Sequence, residues 1–283
     1  MLPVQTFYPE NDLLKKFIAY YYFLKTNSSD FNSTYYAFPN TLHSLNIHKN
    51  ARFEINGHSV LTESDPNYKH LMIVQGRIEK PLFVQLKGVL DKITIVFKPL
   101  GLNQFIKVSF CEVANEPLQL FNEWNTDENY HFFLDAFFDT SDNSKRIKIL
   151  ESYLLSMYCP FKEQEILQKS IDLLSGFQEE LPIERIADSV GLKIRTFNRL
   201  FLKHMGISPV AYRKIARFRH SLKNKLLNEK FKKLTDIGYE SNFYDQSYFI
   251  KIYNQLAGIN PKAFFKSIDK LADDNLIFQF IKK

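Results

Sequence analysis

The chain reads as a two-domain α+β protein. A β-rich barrel or sandwich with helices after it precedes an all-α domain, in which two helix-turn-helix units are joined by a long helix. Three observations lead there. Short alternating apolar runs fill residues 34–97, and from Val113 the apolar spacing turns helical. Then Gly206-Ile207-Ser208-Pro209-Val210-Ala211-Tyr212 returns as Gly258-Ile259-Asn260-Pro261-Lys262-Ala263-Phe264, 52 residues on. Such an internal echo marks a duplicated structural unit.

Taken in order, residues 12–24 place Leu13, Leu14, Phe17, Ile18 and Tyr21 at helical spacing, with Asn11 or Asp12 as N-cap. Runs at 34–38, 44–48, 53–60, 71–75, 82–86 and 93–97 then alternate as strands do. Asn40, Asn56-Gly57, Asp65-Pro66-Asn67 and Gly88 punctuate them. Residues 118–124 and 130–138 carry apolar side chains three and four apart. Residues 145–157 form an amphipathic helix whose stripe would serve the core or a dimer, with the core as the expected use. Cys159-Pro160 ends it, because a residue before proline resists the α region. The expected division is 1–158, 161–270 and a C-terminal tail, 271–283.

Composition narrows the function. At 45% hydrophobic and 24% charged, 283 residues can bury about two cores. Cys111 and Cys159 form no CxxC pair. One disulfide is arithmetically open, but free thiols in a reducing cytoplasm are the expected state. The start, Met1-Leu2-Pro3-Val4, has no signal-peptide pattern, and no apolar run has membrane-spanning length, so a cytoplasmic location without membrane contact is expected. Charge is unevenly spread. Residues 1–160 hold 15 Lys/Arg against 17 Asp/Glu, residues 161–283 hold 22 against 14, and residues 185–233 hold 14 against 2. That asymmetry points the C-terminal part at a polyanion.

The basic part has reading chemistry. Ile166, Ser170 and Leu173/Leu174 mark a helix stopped near Gly176, and Pro182 suits a first helical position. Ile183, Ile186, Ala187 and Val190 make the next face, and Gly191 permits a left-handed turn. The following helix, 194–205, turns Phe197, Leu200 and Phe201 inward and Arg195, Asn198, Arg199 and Lys203 outward. Arg can pair with guanine and Asn with adenine in a major groove. Ser208-Pro209 opens a helix over 209–228 with the stripe Ala211, Ile215, Phe218, Leu222 and Leu226. At ~1.5 Å per residue it spans about 30 Å, close to one turn of duplex.

The second unit repeats the scheme less basically. Leu234 and Ile237 match Ile183 and Ile186, Asn242 takes the turn, and Asp245 caps a helix to Leu256. That helix turns Phe249, Ile252 and Tyr253 inward and Gln246, Ser247, Ile250 and Lys251 outward. Base reading is thus expected from Arg195, Asn198, Arg199, Gln246, Ser247, Ile250 and Lys251. Phosphate contact is expected from Lys193, Lys203, Lys214 and Arg217. A nonspecific architectural DNA binder is the competing reading. Outward Asn198 and Gln246 argue against it, since phosphate contact alone favours Lys and Arg.

These residues resemble the AraC/XylS family of bacterial transcription regulators. The resemblance runs over 165–267, through Ile183-x-x-Ile186-Ala187-x-x-Val190-Gly191-Leu192, Arg195-Thr196-Phe197-x-Arg199-x-Phe201, Gly206-x-Ser208-Pro209-x-x-Tyr212, Asp245-Gln246-Ser247-Tyr248-Phe249 and Gly258-x-x-Pro261-x-x-Phe264. Lys193, Gly238 and Asn242 depart from the family pattern. The resemblance implies two readers on double-stranded DNA joined by a long helix. It also implies a cupin-like N-terminal domain that binds a small-molecule effector or forms a homodimer, and RNA polymerase as partner of an activator. The stretches Tyr8-Pro9-x-x-x-Leu13-x-x-Phe17-Ile18-x-x-Tyr21-Tyr22 and Ile95-Val96-Phe97-Lys98-Pro99-Leu100-Gly101 look like one such sensor type.

An enzyme would have to use His43, His48, His58 and His70. His43 and His48, five apart, fall on opposite faces of a strand, so no tight ligand set is expected. Nucleophile elbow, P-loop and dinucleotide fingerprint are all missing. Neither catalysis, nor a metal, nor a cofactor is expected.

Overall fold

A computed structural model of the chain describes residues 2–76, 78–177, 180–227, 243, 245–271 and 276–280. The N-terminal part contains β1 (Val4–Phe7), α1 (Leu14–Phe17), β2 (Ile18–Lys25), β3 (Asn32–Ala37), β4 (His43–Lys49), β5 (Ala51–Asn56), β6 (Ser59–Ser64), β7 (His70–Gln75), β8 (Leu82–Lys87) and β9 (Asp91–Phe97). After it come α2 (Phe110–Val113), β10 (Leu118–Leu120), α3 (Tyr130–Asp139) and α4 (Asn143–Ser156). The helical part holds α5 (Gln164–Ser175), α6 (Ile183–Ser189), α7 (Ile194–Met205), α8 (Pro209–Leu227), α9 (Gln246–Ala257) and α10 (Pro261–Ser267), and β11 (Asp269–Leu271) and β12 (Leu276–Phe280) follow.

The strands make two six-stranded sheets, ordered β1-β2-β9-β4-β7-β10 and β11-β12-β3-β8-β6-β5. Period-two alternation gives the first sheet two different faces. Leu45, Ile47, Ile93, Ile95 and Phe97 share one core with Phe133, Leu134, Phe137, Leu150, Tyr153 and Leu154 of α3 and α4. On the opposite face Leu24, Ile73 and Leu118 pack with Tyr35, Val60, Leu82, Val84 and Leu86 of the second sheet. The order is helices, sheet, sheet, a sandwich in which each buried Leu, Ile or Phe contributes about 1.5–3 kcal/mol. The apolar stripe of α4 is spent on this core. Two polar clamps fix its register. Arg146, 3% exposed, grips Asp91 with two hydrogen bonds of 2.8 and 2.9 Å. Glu151 accepts from the backbone N–H of Glu10 and Asn11 and from the Tyr21 hydroxyl.

Several elements differ from the sequence expectation. The helix expected over 12–24 is one turn, Leu14–Phe17, with Asn11 accepting from the N–H of Leu13. From Ile18 the chain is a strand. Both faces of β2 are covered, so no polar alternation marks it, and its Tyr-Tyr-Tyr-Phe run favours a pleated backbone. Residues 118–124 start as strand β10 on β7 and continue into a 3-10 turn, Glu123–Thr126. The run 53–60 is a hairpin, β5 and β6, turned at Gly57 with φ +59°. Pro182 is the N-cap of α6 rather than its first residue. Strand β1, four residues long, carries too little pattern to be read. The described part of the expected tail pairs instead. β11 and β12 form a hairpin, and β12 adds to the edge of the second sheet with Phe278 opposite Ala37 and Phe280 opposite Tyr35.

The helical part packs directly on the β part. Phe38 and Leu100 enter its core, Phe38 meeting Phe264 edge to face at 4.9 Å. The Asn103 amide donates to the His204 carbonyl at 3.1 Å, and the Cys111 thiol to that of Leu202 at 3.1 Å. Gly206 ends α7 with φ +70°, and a Cβ there would stand 3.0 Å from the Phe110 ring. That residue must be glycine for its backbone and for its neighbour alike.

Candidate nucleic-acid interface

The first unit is α6, a turn at Gly191 and α7. Gly191 has φ +71° and open space around it, so the turn alone demands glycine. Phe197, Phe201 and Met205 of α7 are buried, and Leu200 is half-buried. The opposite side presents Arg195, Asn198, Arg199 and Lys203, all exposed, with Lys193 at the N-cap. Among the described residues none hydrogen-bonds or ion-pairs with the side chains of Arg195, Asn198 or Arg199. An amphipathic helix anchored by its aromatic side thus offers a row of uncommitted donors.

In the second unit Asp245 caps α9, accepting from the Tyr248 N–H at 2.6 Å. Phe249, Ile252, Tyr253 and Leu256 are buried, and Gln246, Ser247, Ile250 and Lys251 are exposed, Ile250 at 39%. Gly258 ends the helix at φ +75°, and Asn260 caps α10 by accepting from the Ala263 N–H. Leu234, Ile237, Gly238 and Asn242 lie outside the described residues. Between the units, α8 runs 19 residues, about 28 Å at 1.5 Å each. Ile215, Phe218 and Leu222 are buried along its stripe. The Ser221 and Tyr253 hydroxyls, 2.7 Å apart, tie α8 to α9.

The expected phosphate contacts divide. Lys193 and Lys203 are exposed, whereas Lys214 is half-buried and donates to Gln255 at 3.2 Å. Arg217 corrects the expectation. It is 5% exposed, bonds Glu180 and stacks its guanidinium over the Phe243 ring at 5.7 Å. Glu180 also holds Arg213 at 3.1 Å. The charge of α8 near Arg217 is therefore partly neutralised inside the protein. A helical wheel puts Arg217 beside the apolar stripe, and a long side chain there is drawn under its neighbours. Glu180, the second of two adjacent acids before α6, gave no signal in the sequence.

A cavity of about 100 Å³ lies between the two sheets. Its walls include Tyr22, Asn46, His48, Val60, Val84 and Lys92, with Arg219 of α8 at its edge. The alternation of β4 and β9 aims Asn46, His48, Lys92 and Thr94 at this side, and their neighbours at the helices. His43 and His48 fall on opposite faces, as their spacing implies, with His43 stacked on Phe110 at 4.4 Å. Burial pushes the Lys92 ammonium down to about 8 and His43 down to about 4. Burial, then the charge of Lys92, also pushes His48 well below its ordinary value. Among the described residues no three of His, Cys, Asp and Glu gather as a metal site, and no helix is long and apolar enough to cross a membrane.

Comparison with known proteins gives the units a lineage. Residues 186–267 match the family described as Helix-turn-helix domain, and residues 5–119 match Domain of unknown function (DUF6597). Over 86 residues the chain is 30% identical to the HTH-type transcriptional activator RhaS of Enterobacter sp. (strain 638), a match spanning 30% of this chain and 30% of that one. Among solved structures, ToxT from Vibrio cholerae is 13% identical over 93% of this chain and 98% of that chain, with a TM-score of 0.46. A transcriptional regulator from Chromobacterium violaceum, described as an AraC-type DNA-binding domain-containing protein, is 27% identical over 36% of this chain and 89% of that chain, with a TM-score of 0.32. Residues 186–267 thus carry a helix-turn-helix domain, the part of the chain that resembles a known transcriptional activator.

Proposed function

We propose that the protein is a sequence-specific transcription regulator that reads two successive major grooves with α7 and α9. The observation that carries this is the uncommitted exposed face of Arg195, Asn198 and Arg199 opposite the buried Phe197 and Phe201. Arg195 and Arg199 would take guanine edges and Asn198 adenine. Gln246, Ser247, Ile250 and Lys251 would read from α9, with Ile250 suited to a thymine methyl. Lys193, Lys203 and Lys214 would contact phosphates, and Arg217 drops out because it is buried. A 28 Å helix between the readers fits a separation near one helical turn, ~34 Å. The protein acts in this reading on chromosomal DNA in the cytoplasm, and not as an enzyme.

The division at Cys159-Pro160 makes 1–158 the effector domain in this reading, with a second copy of the chain and RNA polymerase as further partners. Support for an effector comes from the cavity and from Arg219, which joins α8 to the loop after β3. A ligand that shifts this loop would shift α8, and with it the spacing of the readers. Footprinting on an operator from the source genome tests the two-groove reading. Protection on one face of the duplex, over two patches a helical turn apart, is expected; one patch only would refute it.

A further inference from the structure

The geometry points to a binding site for a compact monocarboxylate in the cavity between the sheets, with Lys92 and His48 as the receptor for its head. This rests on the reading of residues 1–158 as an effector domain and deepens it by naming the ligand's chemistry.

Lys92 carries the argument. Its side chain is 5% exposed, in the middle of β9. Its ammonium donates to the Asn46 amide oxygen at 3.3 Å and lies 5.6 Å from the centre of the Tyr22 ring. An ammonium has three donors, and these two contacts leave it without a countercharge. No Asp or Glu is found among the described residues that line the cavity. A buried cation without an anion is costly, and removing either partner of such a pair leaves that cost behind. Lys92 stays mostly protonated at neutral pH, because burial brings it only to about 8.

A second observation is independent of it. His48, opposite Lys92 in the β4–β9 register and 2% exposed, leaves Nδ1 without a hydrogen-bond partner. A neutral imidazole protonated there donates to an anion. Arg219 at the same cavity holds the carbonyls of Pro39 and Phe38 through Nε and Nη2. The remaining wall mixes apolar side chains, Val60 and Val84 of the second sheet among them, with polar ones such as Ser44, Thr62 and Gln75.

Size limits the ligand. An apolar cavity of roughly 150 Å³ takes up benzene, and this one encloses about 100 Å³. A carboxylate on a body of about one to three carbons fits, and a ring, a long chain or a sugar does not.

Calorimetric titration of the full chain with acetate, propionate and isobutyrate, each beside its amide, tests this. At least one acid is expected to bind at least about tenfold tighter than its amide, the scale of a charge-assisted hydrogen bond. Lys92→Met is expected to bring acid and amide within about twofold. Equal binding of acid and amide, a preference for the acid that survives in folded Lys92→Met, or no binding of any acid at about 10 mM would overturn the proposal. If Lys92→Met does not fold, the acid and amide comparison on the native chain decides. Operator binding with and without the bound acid is read separately. An acid that binds through Lys92 and leaves operator affinity unchanged upholds the site and refutes the effector reading.

Discussion

Arg219 of α8 donates from Nη2 to the carbonyl oxygen of Phe38 at 2.7 Å, across 181 residues of sequence, and from Nε to that of Pro39. One guanidinium thereby fixes α8 to the loop leaving β3. Burial holds Arg219 down to about 10, still charged at neutral pH. Arg219→Met leaves two carbonyls without their donor and should cost roughly 1–3 kcal/mol in urea denaturation. A loss under about 0.5 kcal/mol would mean the latch does not hold the native state.

Arg217 and Lys203 should separate stability from DNA binding. Arg217→Ala removes the contacts to Glu180 and Phe243 and should lower stability by about 1–3 kcal/mol without changing how affinity falls with salt. Lys203→Ala should leave stability within about 0.5 kcal/mol and reduce the salt slope by about 0.9. The two results exchanged would return Arg217 to the phosphate contacts.

The glycines of the first unit rank by their surroundings. A side chain at Gly191 meets only the cost of positive φ, roughly 1–2 kcal/mol. At Gly206 the same strain is joined by Phe110 at 3.0 Å. Gly206→Ala should therefore destabilise more than Gly191→Ala in paired denaturation curves. Equal losses would show that Phe110 yields without cost.

Stability should rise with pH in two windows. Lys92 titrates at about 8 folded against 10.5 unfolded, so the unfolded chain binds more protons between them, and stability climbs as pH rises through 8 to 10.5. The climb is about 3 kcal/mol, and Lys92→Met should abolish it. His43 and His70, down to about 4 through burial, give the same sign at lower pH. Their contribution is complete above 6.5 and is lost as pH falls to 4. Urea midpoints from pH 4 to 10.5 check both limbs, and a flat upper limb in the native chain would contradict the burial of a charged Lys92.

How far the sequence told this story depends on what each residue's pattern could carry. The helical unit was legible because Phe197, Phe201, Gly206, Asp245 and Gly258 are local signals: one face, one cap, one turn each. The exposed row from Arg195 to Arg199 follows from the same period. Strand β2 was misread because both its faces are covered, which erases alternation. Arg217 was misplaced because its partner Glu180 is distant in sequence and unmarked. The Lys92, Asn46 and His48 cluster was open to reading in the alternation of β4 and β9. Only the fold, however, brings the second sheet over it. The pairing of β12 with β3 brings together strands about 240 residues apart in sequence, and nothing local announces it.

The most direct test of the central claim is selection of binding sites from random duplex DNA by the native chain and by Arg199→Ala. The native chain should recover a two-part motif with its halves about one helical turn apart. Arg199→Ala should relax one position of the α7 half at a cost of about 1–3 kcal/mol. Recovery of no preferred motif, or of the same motif at the same strength with Arg199→Ala, would contradict it.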